Sequence, residues 1–112
     1  MKYETVRAFA LALPDTTEAP HHHFGSFRVK GRIFVTVPPD RGHLHVFVSE
    51  QDREVALALH PGFVEKLLWG GKVAGIKVAL ADAEAAAVKA LVRQAYEYKA
   101  AARPRSGRQA VD

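Results

Sequence analysis

Cysteine is absent from these 112 residues. That removes disulfide staples, a thiolate nucleophile and any cysteine-based zinc site. Serine occurs only at 26, 49 and 106. Ser26 stands outside a Gly-x-Ser-x-Gly setting and Ser49 reads as a helix cap, which argues against a serine hydrolase. The acidic residues are scattered singly, so no carboxylate pair suggests general acid–base work. No apolar run approaches the ~18 residues of a membrane span. Met1 to Arg7 mixes charges where a secretory leader needs an apolar stretch. Phosphate loops are missing too. Gly71-Lys72 is followed by Val73, and Lys66 stands where a P-loop needs glycine. Gly70, Gly71 and Gly75 lack dinucleotide-loop spacing and read as a turn and a strand irregularity.

What remains is a chain with 48% hydrophobic and 25% charged residues. That is the composition of a folded protein, and the length suits one domain with its own core. Lysine and arginine outnumber aspartate and glutamate 16 to 12, for a formal charge of +4. Arg103, Arg105 and Arg108 against Asp112 supply half of that, which leaves about +2 on the rest. We expect a folded domain over 1–100 and a basic, flexible tail over 101–112. The tail's charge serves either solubility or phosphate contact.

The hydrophobic periodicity changes along the chain. Val6, Phe9, Ala10 and Leu13 fall at i, i+3, i+4 and i+7 and predict a helix over 3–13, ended by Pro14. Residues 14–25 read as a polar connection. Phe27 and Val29 then alternate with Arg28 and Lys30, and Arg32 to Val37 resumes after Gly31, which predicts a hairpin with a tight turn. Pro38 to Gly42 is a turn, and His43 to Val48 is a third strand. Ser49-Glu50-Gln51-Asp52 opens a helix over 50–59 with Val55, Ala58 and Leu59 as its buried side. Phe63 to Trp69 reads equally as a helical turn or an edge strand. Gly70-Gly71 is a turn, and Lys72 to Leu80 is a further strand with Ile76, Val78 and Leu80 on one face. Asp82 is the expected N-cap of a last helix over 83–99, with Val88, Leu91, Val92, Ala95 and Tyr98 as its apolar stripe. Helices at the ends of a strand meander predict an α+β fold: an antiparallel sheet packed with N-terminal, middle and C-terminal helices.

Three chemistries are left to weigh. His43 and His45 project from one strand face, and His21-His22-His23 form a run. A metal site would need a third ligand from elsewhere, so solvent-exposed or capping roles compete with it. Arg28, Lys30 and Arg32 surround the first hairpin turn, and Lys72 and Lys77 lie on a later strand. A basic hairpin of this kind straddles a nucleic-acid backbone as a wing does. Phe34 and Phe47 fall off the parity of their apolar neighbours. That places them either beside the basic residues on one sheet face, as single-strand stacking requires, or under the middle helix.

The stretch Leu13-Pro14, then His23-Phe24-Gly25-Ser26-Phe27-Arg28-Val29-Lys30-Gly31-Arg32-Ile33-Phe34-Val35, with Ala95-Tyr96 near the end, resembles the MmcQ/YjbR-like proteins over about residues 3–100. The resemblance implies a CyaY-like, double-wing α+β fold. It also implies that family's usual description as DNA-binding, which rests on fold likeness to a phage transcription factor's double-wing domain. It carries no catalytic residue. The His21–His23 run and the short gap between Gly25 and Phe27 depart from the family pattern. We therefore expect a cytoplasmic, monomeric, non-enzymatic protein without cofactor, metal or membrane partner. Its expected DNA contacts are Arg28, Lys30, Arg32, Lys72, Lys77, Arg103 and Arg105. The alternative is a module that docks a protein or small ligand on the sheet face or the Trp69 loop.

Overall fold

A computed structural model describes residues 1–101 of the chain. The elements are α1 (Tyr3–Ala12), β1 (Thr16–His21), β2 (Phe24–Val29), β3 (Arg32–Val37) and β4 (His43–Val46). They continue with α2 (Glu50–Leu59), β5 (Val64–Trp69), β6 (Lys72–Ala79), a 3-10 turn (Leu80–Asp82) and α3 (Ala85–Ala101). The six strands form one antiparallel sheet in the order β1-β2-β3-β4-β6-β5. This is the expected α+β fold, with six strands where the hydrophobic pattern indicates four or five. Among the described residues no helix is long and apolar enough to cross a membrane.

The helices bury one face of the sheet. Val6 and Ala10 of α1, Ala56 of α2, and Val88, Leu91, Val92 and Ala95 of α3 join a core with Phe27, Val29, Val35, Val37, Leu44, Val46, Ile76 and Val78. The strand residues pair across the sheet as Phe27–Val35–Val46–Ile76 and as Leu44–Val78–Val64, so the register alone puts them on one side. Tyr96 locks α3 to the rest. Its ring meets Phe34 edge-on at 5.6 Å, and its hydroxyl donates to the Pro14 carbonyl at 2.8 Å. The Leu13-Pro14 and Ala95-Tyr96 features of the sequence thus meet in space.

Several expectations need correction. Residues 14–25 contain β1, an edge strand whose sequence, TTEAPH, has no apolar alternation. Pro20 is tolerated there because an edge strand leaves backbone donors unpaired. Glu18 of β1 is held instead by Arg7 of α1, at 2.8 Å. Phe34 is not on the outer face. The β2–β3 register shifts between Phe27 and Arg28, so Phe27 faces Val35 while Arg28 faces Ile33. This bulge turns both Phe34 and Val35 into the core. In α2 the inward residues are Ala56 and partly Leu57, while Val55, Ala58 and Leu59 are exposed. In α3, Tyr98 is exposed, and Asp82 lies in the 3-10 turn rather than at the helix N-cap. Phe63 to Trp69 resolves as edge strand β5. Ala101 ends α3, and the rest of the expected tail, Arg103 and Arg105 included, lies outside the described residues.

Other readings hold as made. The Ser49 hydroxyl accepts from the Asp52 amide at 3.1 Å and caps α2. Lys30 and Gly31 have φ of 53° and 77°, and Gly70 and Gly71 have 58° and 81°. Two consecutive left-handed residues make a type I′ turn, whose twist matches the strands it joins. Gly75 is required by close approach, since a Cβ there would lie 2.6 Å from the Val46 carbonyl oxygen of β4.

Candidate functional site

Among the described residues the opposite face of the sheet carries no helix, and the chemistry-bearing residues gather there. Strand alternation and register place Phe24, Ser26 and Arg28 of β2 on it, together with Ile33 and Thr36 of β3. His45 of β4, Lys77 of β6, and Glu65 and Trp69 of β5 share that side. Phe47, just beyond β4, reaches it too: its ring lies 5.3 Å from that of Trp69. His45 lies between two further rings, with Phe24 at 5.6 Å and Trp69 at 6.2 Å. A hollow of about 270 Å³ is lined by His21, His22, Phe24, Thr36 and Trp69. A second, of about 230 Å³, shares His21, Thr36 and Trp69 and adds Ile33, Phe47 and Lys99.

The middle of one row of this face is polar and nonetheless buried. Register aligns Ala19, Ser26, Thr36, His45, Lys77 and Glu65 across all six strands. Ser26, Thr36 and His45 are the polar residues that the described chain buries, and they are adjacent in that row. Ser26 is satisfied: its hydroxyl donates to the Ala19 carbonyl at 2.6 Å and accepts from Arg28 Nε at 3.2 Å. Thr36 Oγ1 and His45 Nδ1 have no hydrogen-bond partner among the described residues. Burial holds the His45 imidazole below its ordinary value, and the charges of Lys77 and His43 push the same way. His45 is therefore neutral near pH 7.

The basic residues sit around this face rather than in one patch. Arg28 is on it, tied to Ser26. Arg32 pairs with Val29 and projects to the helix-covered side, so the turn separates the two arginines expected to act together. Lys30 is in the turn itself, 3.4 Å from the Ala100 carbonyl at the end of α3. Lys72 pairs with Trp69 beside the Gly70-Gly71 turn. Lys77 lies 4.0 Å from Glu65, an exposed contact that binds neither side chain firmly. Lys99, which no strand pattern in the sequence singles out, reaches the second hollow from α3. The strand directions bring the Lys30-Gly31 and Gly70-Gly71 turns to the same end of the sheet. β4 lies between those two hairpins, so β3 and β6 are two strand spacings, about 10 Å, apart.

The histidines do not converge. His43 contacts Asp40 at 3.2 Å, and His60 stacks on Phe63 at 5.0 Å. Among the described residues no group of three or more His, Asp or Glu is placed to hold a metal ion.

Comparison with known proteins bears on the fold and the family. No curated protein matches the chain. The crystal structure of Deinococcus radiodurans protein DR2400, which carries a DUF419 domain, superposes with a TM-score of 0.70 at 21% identity. The match covers 85% of this chain and 75% of that one, and at such identity it speaks for the fold alone. The YjbR family model matches residues 11–98, a span from the end of α1 nearly to the end of α3 that takes in the whole sheet. With the fold and the greater part of its length both matched, the chain belongs to the YjbR family.

Proposed function

We propose that this chain is a non-enzymatic DNA-binding protein that takes a strand along the uncovered sheet face. Lys30 on one hairpin, Lys72 on the other, and Arg28 and Lys77 between them would contact phosphates, whereas Arg32, on the helix-covered side, stands apart from this set. Arg103 and Arg105 would extend the contact from beyond the described residues. The observation that carries this reading is the placement of the two I′ hairpin tips. They stand at one end of the sheet, on either side of an aromatic face bordered by Arg28, Lys72, Lys77 and Lys99. Cations fix the register of a phosphate backbone, and exposed rings accept bases, so the combination suits nucleic acid better than either half alone.

Fluorescence anisotropy with a labelled oligonucleotide at ~50 mM salt tests it. Binding is expected, with loss of at least tenfold in affinity for the Lys30→Glu/Lys72→Glu variant. No binding at that salt would defeat the proposal. If only Arg103→Ala/Arg105→Ala weakens binding, the folded part is not the reader.

A second reading has its own observation. The β5–β6 hairpin exposes Leu68 (59%) and its cross-strand partner Val73 (37%), with Trp69 (47%) on the opposite face of the same tip. Clustered apolar exposure marks a surface that docks a protein or small ligand. Binding that is insensitive to salt and lost in Trp69→Ala would favour this reading over the first.

A further inference from the structure

We infer that Thr36 and His45 form the polar floor of an aromatic-walled pocket for one planar, uncharged heteroaromatic ring, an unpaired nucleobase. Thr36 is 1% exposed and His45 8%, and both leave a polar atom without a partner. Buried polar groups are paired as a rule, because each orphan costs the desolvation of that group. The remaining orphan of the described chain, Thr16 Oγ1, belongs to a residue paired with Val29 on the helix-covered side. Thr36 and His45 instead face each other directly across β3 and β4, on the uncovered side.

The surroundings narrow the ligand. The hollow above Thr36 is walled by His21, Phe24 and Trp69. At about 270 Å³ it is smaller than the ~300–1,000 Å³ of a drug-sized site, so it suits a single ring system. Stacked rings need π faces, and Phe24, Trp69 and Phe47 supply them. A purely apolar ligand would leave both orphans unpaired. A base edge presents adjacent donors and acceptors. A threonine hydroxyl meets either kind, and a neutral imidazole nitrogen meets one or the other by tautomer. Thr36 lines the hollow, while the Phe24 and Trp69 rings lie against His45, so a ligand ring reaches both polar atoms only by displacing the Trp69 ring from Phe47 and His45. Trp69 is half exposed and is the last residue before the Gly70-Gly71 turn.

This inference rests on the DNA-binding reading for its ligand class, but the two fail separately. Trp69 is the chain's sole tryptophan, so its fluorescence reports on the pocket directly. The full chain would be titrated with adenosine, guanosine, cytidine and thymidine. It would also be titrated with a single-stranded oligonucleotide and its abasic counterpart. Quenching by at least one nucleoside, and tighter binding of the base-bearing strand than of the abasic one, are expected. If only the strand quenches, the base is read within a polymer; if nucleosides quench equally well, free bases are a source too. Thr36→Val should weaken quenching about tenfold yet raise the unfolding midpoint, since it deletes an unpaired hydroxyl. His45→Phe keeps the ring and should weaken quenching similarly. The pocket is overturned if no nucleoside or base-bearing strand quenches Trp69, if abasic and base-bearing strands bind equally, or if Thr36→Val leaves affinity unchanged. Equal binding of the abasic strand would still leave the phosphate contacts intact. Nucleoside quenching with no strand binding would sink the DNA reading and leave the pocket.

Discussion

At the scale of single residues, His45 carries the clearest consequence. Its folded-state pKa is depressed by burial first, then by Lys77 and His43, with Asp40 opposing weakly. The unfolded chain therefore takes up that proton at a higher pH than the folded one. The resulting stability is fully present above the ordinary value of 6.5 and is lost as pH falls through the lower folded value. The urea midpoint is expected to fall between pH 7 and pH 5. His45→Phe should flatten that limb while leaving the steeper acid loss below about pH 4.5, where Glu18 loses the Arg7 contact that lowers its own pKa. An unchanged limb in His45→Phe would remove His45 from the account. Sequence alone located some of these residues and missed their surroundings. The i, i+2 spacing puts His43 and His45 on one face, but no spacing says that Phe24 and Trp69 will cover His45. Arg28 and Arg32 look like partners in sequence, yet the two-residue turn pairs Arg32 with Val29 and sends the two arginines to opposite faces.

At the scale of elements, legibility follows the strength of the local signal. The hairpin around Gly31, helix α2 with its Ser49 cap, and strand β6 declare themselves by period and by turn chemistry. β1 does not: TTEAPH is mostly exposed, carries a proline, and is held by its pairing with β2 and by the Arg7–Glu18 contact. The misplaced face of α2 has a physical origin too. Val55 and Leu59 line a shallow groove against Ala87, Ala90 and Gln94 of α3, while the small Ala56 takes the buried position. Gly75 joins two elements. Any side chain there meets the Val46 carbonyl oxygen at 2.6 Å and the Phe47 ring at 3.2 Å, so β4 and β6 would have to part. Gly75→Ala is expected to cost about 2–3 kcal/mol by urea denaturation, as overpacking of a close contact does. Gly62→Ala, into open space, should change stability little. Equal effects of the two substitutions would contradict the close approach.

At the scale of the whole molecule, three helices on one face leave the other uncovered among the described residues, and two I′ hairpins project at one end of it. Basic residues dispersed in sequence, from Arg28 to Lys99, come to border one surface through this topology. That gathering could not be read from composition, because the charge outside the tail is only about +2. The family resemblance pointed to the fold correctly, and the strand order supplies what it lacked: the relative place of the two hairpins. The central claim is that both tips hold one phosphate backbone. The salt dependence of oligonucleotide affinity, measured for the intact chain and for Lys30→Ala and Lys72→Ala, tests it most directly. Each substitution is expected to lower the slope of log K against log salt by about 0.7–0.9, the share of one phosphate, and the double variant by about twice that. A slope unchanged by either substitution would contradict the claim.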